Sequence, residues 1–146
     1  MKYKEFKQAS KKHLETCKCL LNDLDNTTCE ESKQHLKNNL FYLSGYIVET
    51  ILKYMIFVAV GYNRDKEIIE FDVDGLTYNN DIKVHSLVKL ERILQSKYSI
   101  DTFFTQSELS KWDIEHRYQK DVEVDKEFVK NFLYKSQKLY EQFYKN

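Results

Sequence analysis

The stretch Gly45-Tyr46-Ile47-Val48-Glu49-Thr50-Ile51-Leu52-Lys53-Tyr54-Met55-Ile56-Phe57-Val58-Ala59-Val60-Gly61 decides the fold. From Ile47 to Val60 the only charged residues are Glu49 and Lys53, and apolar residues point to every side of the helix this pattern predicts. A helix that is apolar all round is a buried one. The apolar run is shorter than the roughly 20 residues a membrane-spanning helix needs. It therefore reads as the central element of a helical bundle, with no membrane expected, and Gly61 is placed to end it.

Upstream, the same helix extends back to Cys29 or Glu30, with Leu36, Leu40 and Leu43 as a single stripe and Thr28 three residues before Glu31 at capping-box spacing. Asn22 to Thr28 reads as a turn. Before it, Tyr3, Phe6, Ser10, Leu14, Cys17 and Leu21 recur every three or four residues and predict helix one from Tyr3 to Leu21. Downstream, Tyr62 to Lys83 breaks the helical period. There Phe71 and Val73 alternate with Glu70, Asp72 and Asp74, and Asp74-Gly75 is a two-residue hairpin signal. Glu70-x-Asp72-x-Asp74-Gly75 loosely mimics a calcium loop, but the first position is Glu and no paired helices flank it, so the hairpin reading is preferred.

Three further helices follow. Helix three runs from Val84 to Lys97, with Leu87, Leu90, Ile93 and Leu94 on one face. Helix four runs from Thr105 to Tyr118, aligning Leu109, Trp112 and His116. Helix five, from Asp125 to Tyr144, carries Phe128, Phe132, Leu139 and Phe143 beside Val129, Leu133, Tyr140 and Tyr144. That arc is wider than one bundle contact requires and points to a homodimer surface. The fold class is all-α: an up-and-down bundle of about five helices, one domain over residues 1–146, with a short hairpin-like insertion between helices two and three.

Composition agrees. The 146 residues include no proline and three glycines, which disfavours sandwiches, barrels and Gly-rich phosphate loops. Lys+Arg and Asp+Glu are equal at 23 each, which argues against a protein that coats DNA. The balance conceals two patches, however. Helix one carries Lys2, Lys4, Lys7, Lys11, Lys12 and Lys18 against Glu5 and Glu15, a solvated face or an RNA-backbone contact, and the segment Asp65 to Asp81 is acidic. The first residues hold no apolar signal core behind their lysines, and the three cysteines, Cys17, Cys19 and Cys29, are an odd number. A cytoplasmic chain is expected, with no metal and no cofactor.

The candidate site residues are the charged groups in apolar company. Glu49 and Lys53 stand one helical turn apart in the core helix. Arginine is rare, at Arg64, Arg92 and Arg117 only, which assigns a task to its planar fork. We expect Arg117 to pair with Glu49 inside the bundle, the alternative being a ligand-facing Arg117. His116 extends the Leu109-Trp112 stripe, His85 reads as a cap or core residue opening helix three, and His13 and His35 have no evident partner.

These residues also carry a likeness. Gly45-x-x-x-Glu49-x-x-Leu52-Lys53, then His85-Ser86-Leu87-x-x-Leu90, then Leu109-x-x-Trp112-x-x-x-x-Arg117-Tyr118 resembles, in order and helix placement, the HEPN domains (higher eukaryotes and prokaryotes nucleotide-binding). The resemblance covers nearly the whole chain. It implies a helical bundle, a homodimer, a place in toxin-antitoxin or phage-defence systems, and a nucleotidyltransferase partner protein. Catalytic members are metal-independent RNases with Arg, four to six residues, then His. That motif is missing here: the matching windows hold Ile69, Glu70 and Phe71 after Arg64, Lys97, Tyr98 and Ser99 after Arg92, and Val122, Glu123 and Val124 after Arg117. The resemblance therefore implies a nucleotide- or RNA-binding module without RNase activity, its ligand-binding residues being Arg117, Tyr118, Glu49, Lys53 and His85. The alternatives are an RNase with a degenerate centre using Arg117 and His116, and a structural dimerisation or partner-binding module.

Overall fold

The computed structural model describes residues 1–114 and 125–144. Among them are five α-helices: α1 (Lys4–Asn26), α2 (Glu30–Ala59), α3 (Leu87–Tyr98), α4 (Gln106–Ser110) and α5 (Lys126–Tyr144). A two-stranded hairpin, β1 (Asp72–Val73) and β2 (Leu76–Thr77), lies between α2 and α3. The fold is the all-α bundle with a hairpin insertion that the sequence predicts.

The second helix is the core. Ile47, Val48, Ile51, Leu52, Ile56 and Phe57 have no exposed surface. By length and hydropathy α2 would meet the criterion for a membrane span, yet 78% of its most apolar window is buried inside the chain. Small residues let its neighbours approach. Ser10 Oγ of α1 donates to Ile47 O at 3.1 Å and Ser136 Oγ of α5 to Ser44 O at 3.4 Å, so the hydroxyls that keep these contacts close are also satisfied. Gly61 ends the helix as predicted, at φ +65°. Gly61 N donates to Val58 O and Tyr62 N to Phe57 O, both at 3.0 Å, and the Tyr62 and Phe57 rings meet at 5.3 Å. This is the two-bond C-terminal motif with its apolar contact.

Four local expectations are corrected. First, α1 continues through the polar stretch read as a turn, to Asn26, because Leu24 is buried there and Asp25 pairs with Lys126 and Lys130 of α5 at 3.2 and 2.9 Å. Second, α2 is N-capped by Cys29, which puts Glu31 at the second helical position instead of the third that a capping box needs. Third, α3 begins at Leu87, not Val84, since Ser86 Oγ accepts from Lys89 N at 3.2 Å and fixes the start. Fourth, α4 stops at Ser110: Lys111 N donates to Glu108 O and Trp112 N to Leu109 O, both at 3.3 Å, a tightening that ends the helix well before Tyr118. Residues 115–118 of the expected helix four, with His116, Arg117 and Tyr118, lie outside the described residues.

The arc on α5 is largely consumed within the chain. Val129, Phe132, Leu133, Leu139, Tyr140 and Phe143 are all buried against α2 and α1, while Tyr134 is exposed. The width of that arc therefore gives a homodimer surface no support.

The insertion follows its turn chemistry. Asp74 and Gly75 adopt φ of 55° and 77°, the double left-handed turn that suits a two-residue hairpin, with Asp72 opposite Thr77 and Val73 opposite Leu76. So short a ladder is held by packing. Ile68, Phe71, Leu76 and Ile82 are buried, and the Phe71 ring meets Phe57 edge-on at 4.8 Å. Tyr98 of α3 donates its hydroxyl to Asp74 Oδ2 at 3.2 Å, and burial together with that carboxylate pushes the phenol up to about 12. A turn of 3-10 helix (Ile68–Glu70) and a single π-turn (Tyr78–Ile82), neither read from the sequence, flank the hairpin. The insertion thus delivers the chain to His85 at a fixed position beside α2.

Candidate functional site

Glu49 is 3% exposed in the middle of α2, where an unpaired carboxylate would cost several kcal/mol. Its own helix supplies the first partner one turn on: Lys53 Nζ, itself buried, donates to Glu49 Oε1 at 2.6 Å. The second comes from across the insertion. His85 Nδ1 stands 3.2 Å from Oε1 and 3.1 Å from Oε2. An ionised carboxylate only accepts, so Nδ1 carries the hydrogen of this contact. In the neutral imidazole the Nε2 lone pair is then available, and Nε2 has no hydrogen-bond partner among the described residues. The His85 side chain is 49% exposed, so the cluster runs from a buried ion pair to an accessible imidazole.

His85 also lines a cleft of about 360 Å³ between the start of α3 and the end of α4, with Leu87, Leu109, Trp112 and Ile114 among its walls. Trp112 is seated there by Gly45. A Cβ on Gly45 would fall 1.9 Å from the Trp112 indole nitrogen, so only glycine admits the ring, and that nitrogen donates to Tyr42 O at 2.9 Å. Gly45 thereby fixes one wall of the cleft one helical turn before Glu49 in α2.

The field of Glu49 reaches further. His13 of α1 stacks on Tyr46 at 5.4 Å, and burial holds its pKa below the usual imidazole value while the Glu49 charge opposes that shift. The Tyr78 phenol is pushed up by burial and by the same carboxylate. Sequence reading leaves His13 without a partner and passes over Tyr78. The signal for His13 was present: it lies three residues after Ser10 and seven after Phe6, on the edge of the stripe that α1 packs against α2.

The structure therefore brings together Glu49, Lys53 and His85 of the candidate set. Arg117, Tyr118 and His116 lie outside the described residues, as does the expected Arg117–Glu49 pair; the partners that Glu49 shows among the described residues are Lys53 and His85. His85 is not the cap of α3, a role Ser86 takes, nor a core residue. Of the other arginines, Arg92 donates to Gln106 Oε1 at 3.2 Å. No group of three or more His, Cys, Asp or Glu that could hold a metal occurs among the described residues. Comparison of the chain with family models, curated proteins and solved structures gives no match. The functional reading rests on the site's own geometry and on the motif order.

Proposed function

We propose that this chain is a HEPN-like module that binds a nucleotide or RNA in a cytoplasmic toxin-antitoxin or phage-defence setting, as a homodimer beside a nucleotidyltransferase partner and without RNase activity. The observation that supports it is the Glu49–Lys53–His85 cluster. Three residues of the motif order, from two distant stretches, meet in one cluster, and one of them, His85, lines a cleft. A half-exposed imidazole held by a buried carboxylate offers a directed hydrogen bond, and Trp112 offers an apolar wall, the combination that nucleotide sites use. The binding groups named are Glu49, Lys53 and His85, with Arg117 and Tyr118 on the motif order alone. Melting the purified chain with AMP, ATP and tRNA tests it: one of them raises the melting temperature and His85→Ala removes the rise. No shift with any of the three favours a structural dimerisation module instead.

The runner-up is a metal-independent ribonuclease. The contact that favours it is Glu49–His85, since an imidazole oriented by a carboxylate is a competent general base for a ribose hydroxyl. In that reading His85 joins Arg117 and His116. Incubation with tRNA decides: cleavage lost in His85→Ala and His116→Ala supports it, and intact tRNA excludes it.

A further inference from the structure

Arg64 is one of three arginines in a lysine-rich chain, and the cleft at His85 does not use it. It lies just past the end of α2, where the chain turns back over the first residues of α1. There Tyr3, Lys4, Lys7, Gln8, Tyr54 and Arg64 line a concavity of about 270 Å³ that shares no residue with the His85 cleft. Its floor is rigid. Tyr3 and Tyr54 are both buried, their rings 5.7 Å apart, and Tyr3 stacks on Phe57 at 5.4 Å. Lys7 Nζ lies 5.3 Å over the Tyr54 ring.

The charges around this hollow are of one sign. Burial lowers the Lys7 pKa most, and the Arg64 guanidinium lowers it further, as a like charge does. Neither Lys4 nor Arg64 has a carboxylate within ion-pair distance among the described residues. Of the acids nearby, Glu67 is already engaged by the amino group of Met1 and by Lys2 Nζ, the latter at 2.8 Å. Like charges converging from two elements on one concave surface repel, and an anion bound among them removes that repulsion. A guanidinium fork with two point-charged ammonium groups matches a doubly charged, multi-oxygen anion better than a single carboxylate.

We propose that Lys4, Lys7 and Arg64 form a binding pocket for a phosphate monoester, with the tyrosine floor receiving the group attached to it. The monoester is the terminal phosphate of a free nucleotide or the 5′ phosphate of an RNA. The pocket stands independently of the function proposed for the Glu49 cluster.

Titrating the labelled chain with inorganic phosphate, against sodium chloride at matched ionic strength, tests the pocket by amide NMR. AMP and a short oligoribonucleotide with a 5′ phosphate or a 5′ hydroxyl distinguish the two sources. Phosphate-specific shifts confined to Lys4, Lys7, Gln8, Tyr54 and Arg64, weakened about tenfold or more in Arg64→Gln, support the proposal. A preference for the 5′-phosphorylated strand that Arg64→Gln abolishes assigns the pocket to RNA ends, and binding of AMP alone assigns it to free nucleotides. Arg64 is exposed, so the variant keeps its fold, which its melting curve verifies. Shifts equal to those in chloride, shifts spread over all surface lysines, or an unchanged response in Arg64→Gln overturn it.

Discussion

The His85 imidazole lies 3.1 Å from the Glu49 carboxylate although 36 residues separate them in the chain. The whole insertion between α2 and α3 is the connection that closes this distance. Phe71, at the foot of its hairpin, packs on Phe57, and the turn is tied to α3 through Asp74, so His85 is delivered by packed structure. On the other side of the carboxylate Lys53 is buried with it, and the two form a pair that neither could leave alone.

Removing one charge of that pair is therefore costly. Glu49→Gln leaves the Lys53 ammonium buried without a counter-charge, and we expect a loss of about 3–5 kcal/mol in urea unfolding. Replacing both, as Glu49→Leu with Lys53→Met, restores most of that loss, since an apolar pair of similar volume suits the core helix.

Histidine NMR reads the same field from another side. Because burial depresses the His13 pKa and Glu49 raises it, His13 titrates below about 6.5, and in Glu49→Gln its midpoint falls further. The sign for stability follows: a depressed imidazole withholds protons that the unfolded chain accepts, so His13 makes the fold less stable as pH drops below about 6.5. A midpoint unmoved by Glu49→Gln would separate the two residues.

Gly45→Ala tests the seat of Trp112. The added methyl would occupy the indole, and the ring has no room to retreat without breaking its bond to Tyr42 O. We expect a loss of at least about 1–3 kcal/mol and a changed tryptophan emission spectrum.

Glu91 supplies a pH prediction of opposite sign. It is 1% exposed, its Oε2 lacks a hydrogen-bond partner among the described residues, and burial raises its pKa. The unfolded chain ionises this group first, so its contribution to stability falls as pH rises above about 4.3. Glu91→Gln, which keeps the shape without the charge, raises the melting temperature at pH 7. The gain shrinks toward pH 4.

The sequence made the bundle legible through periodicity in its long elements: the all-apolar stretch of α2, the stripes of α1 and α5, and Asp74-Gly75. Misreadings came where tertiary contacts outweigh local chemistry. Asn22 to Asn26 looks like a turn, but Leu24 and the Asp25 pairs with α5 hold it helical. Spacing exposed the Glu49–Lys53 pair because both members share one helix. The contact to His85 was not legible, since it depends on how the insertion packs, which no local pattern encodes. Glycine at 45 was visible, but the indole that requires it comes from a different element.

The proposal that the Glu49–Lys53–His85 cluster is a nucleotide or RNA site meets its most direct test in the affinity of fluorescently labelled tRNA for the wild type and His85→Ala. His85 is half exposed and carries no core packing, so the variant should fold, with a melting temperature lowered only by the lost hydrogen bond to Glu49, which Lys53 still holds. We predict saturable binding to the wild type that weakens at least about tenfold in His85→Ala. Equal binding by both proteins, or none by the wild type to tRNA or to mononucleotides, would contradict the proposal.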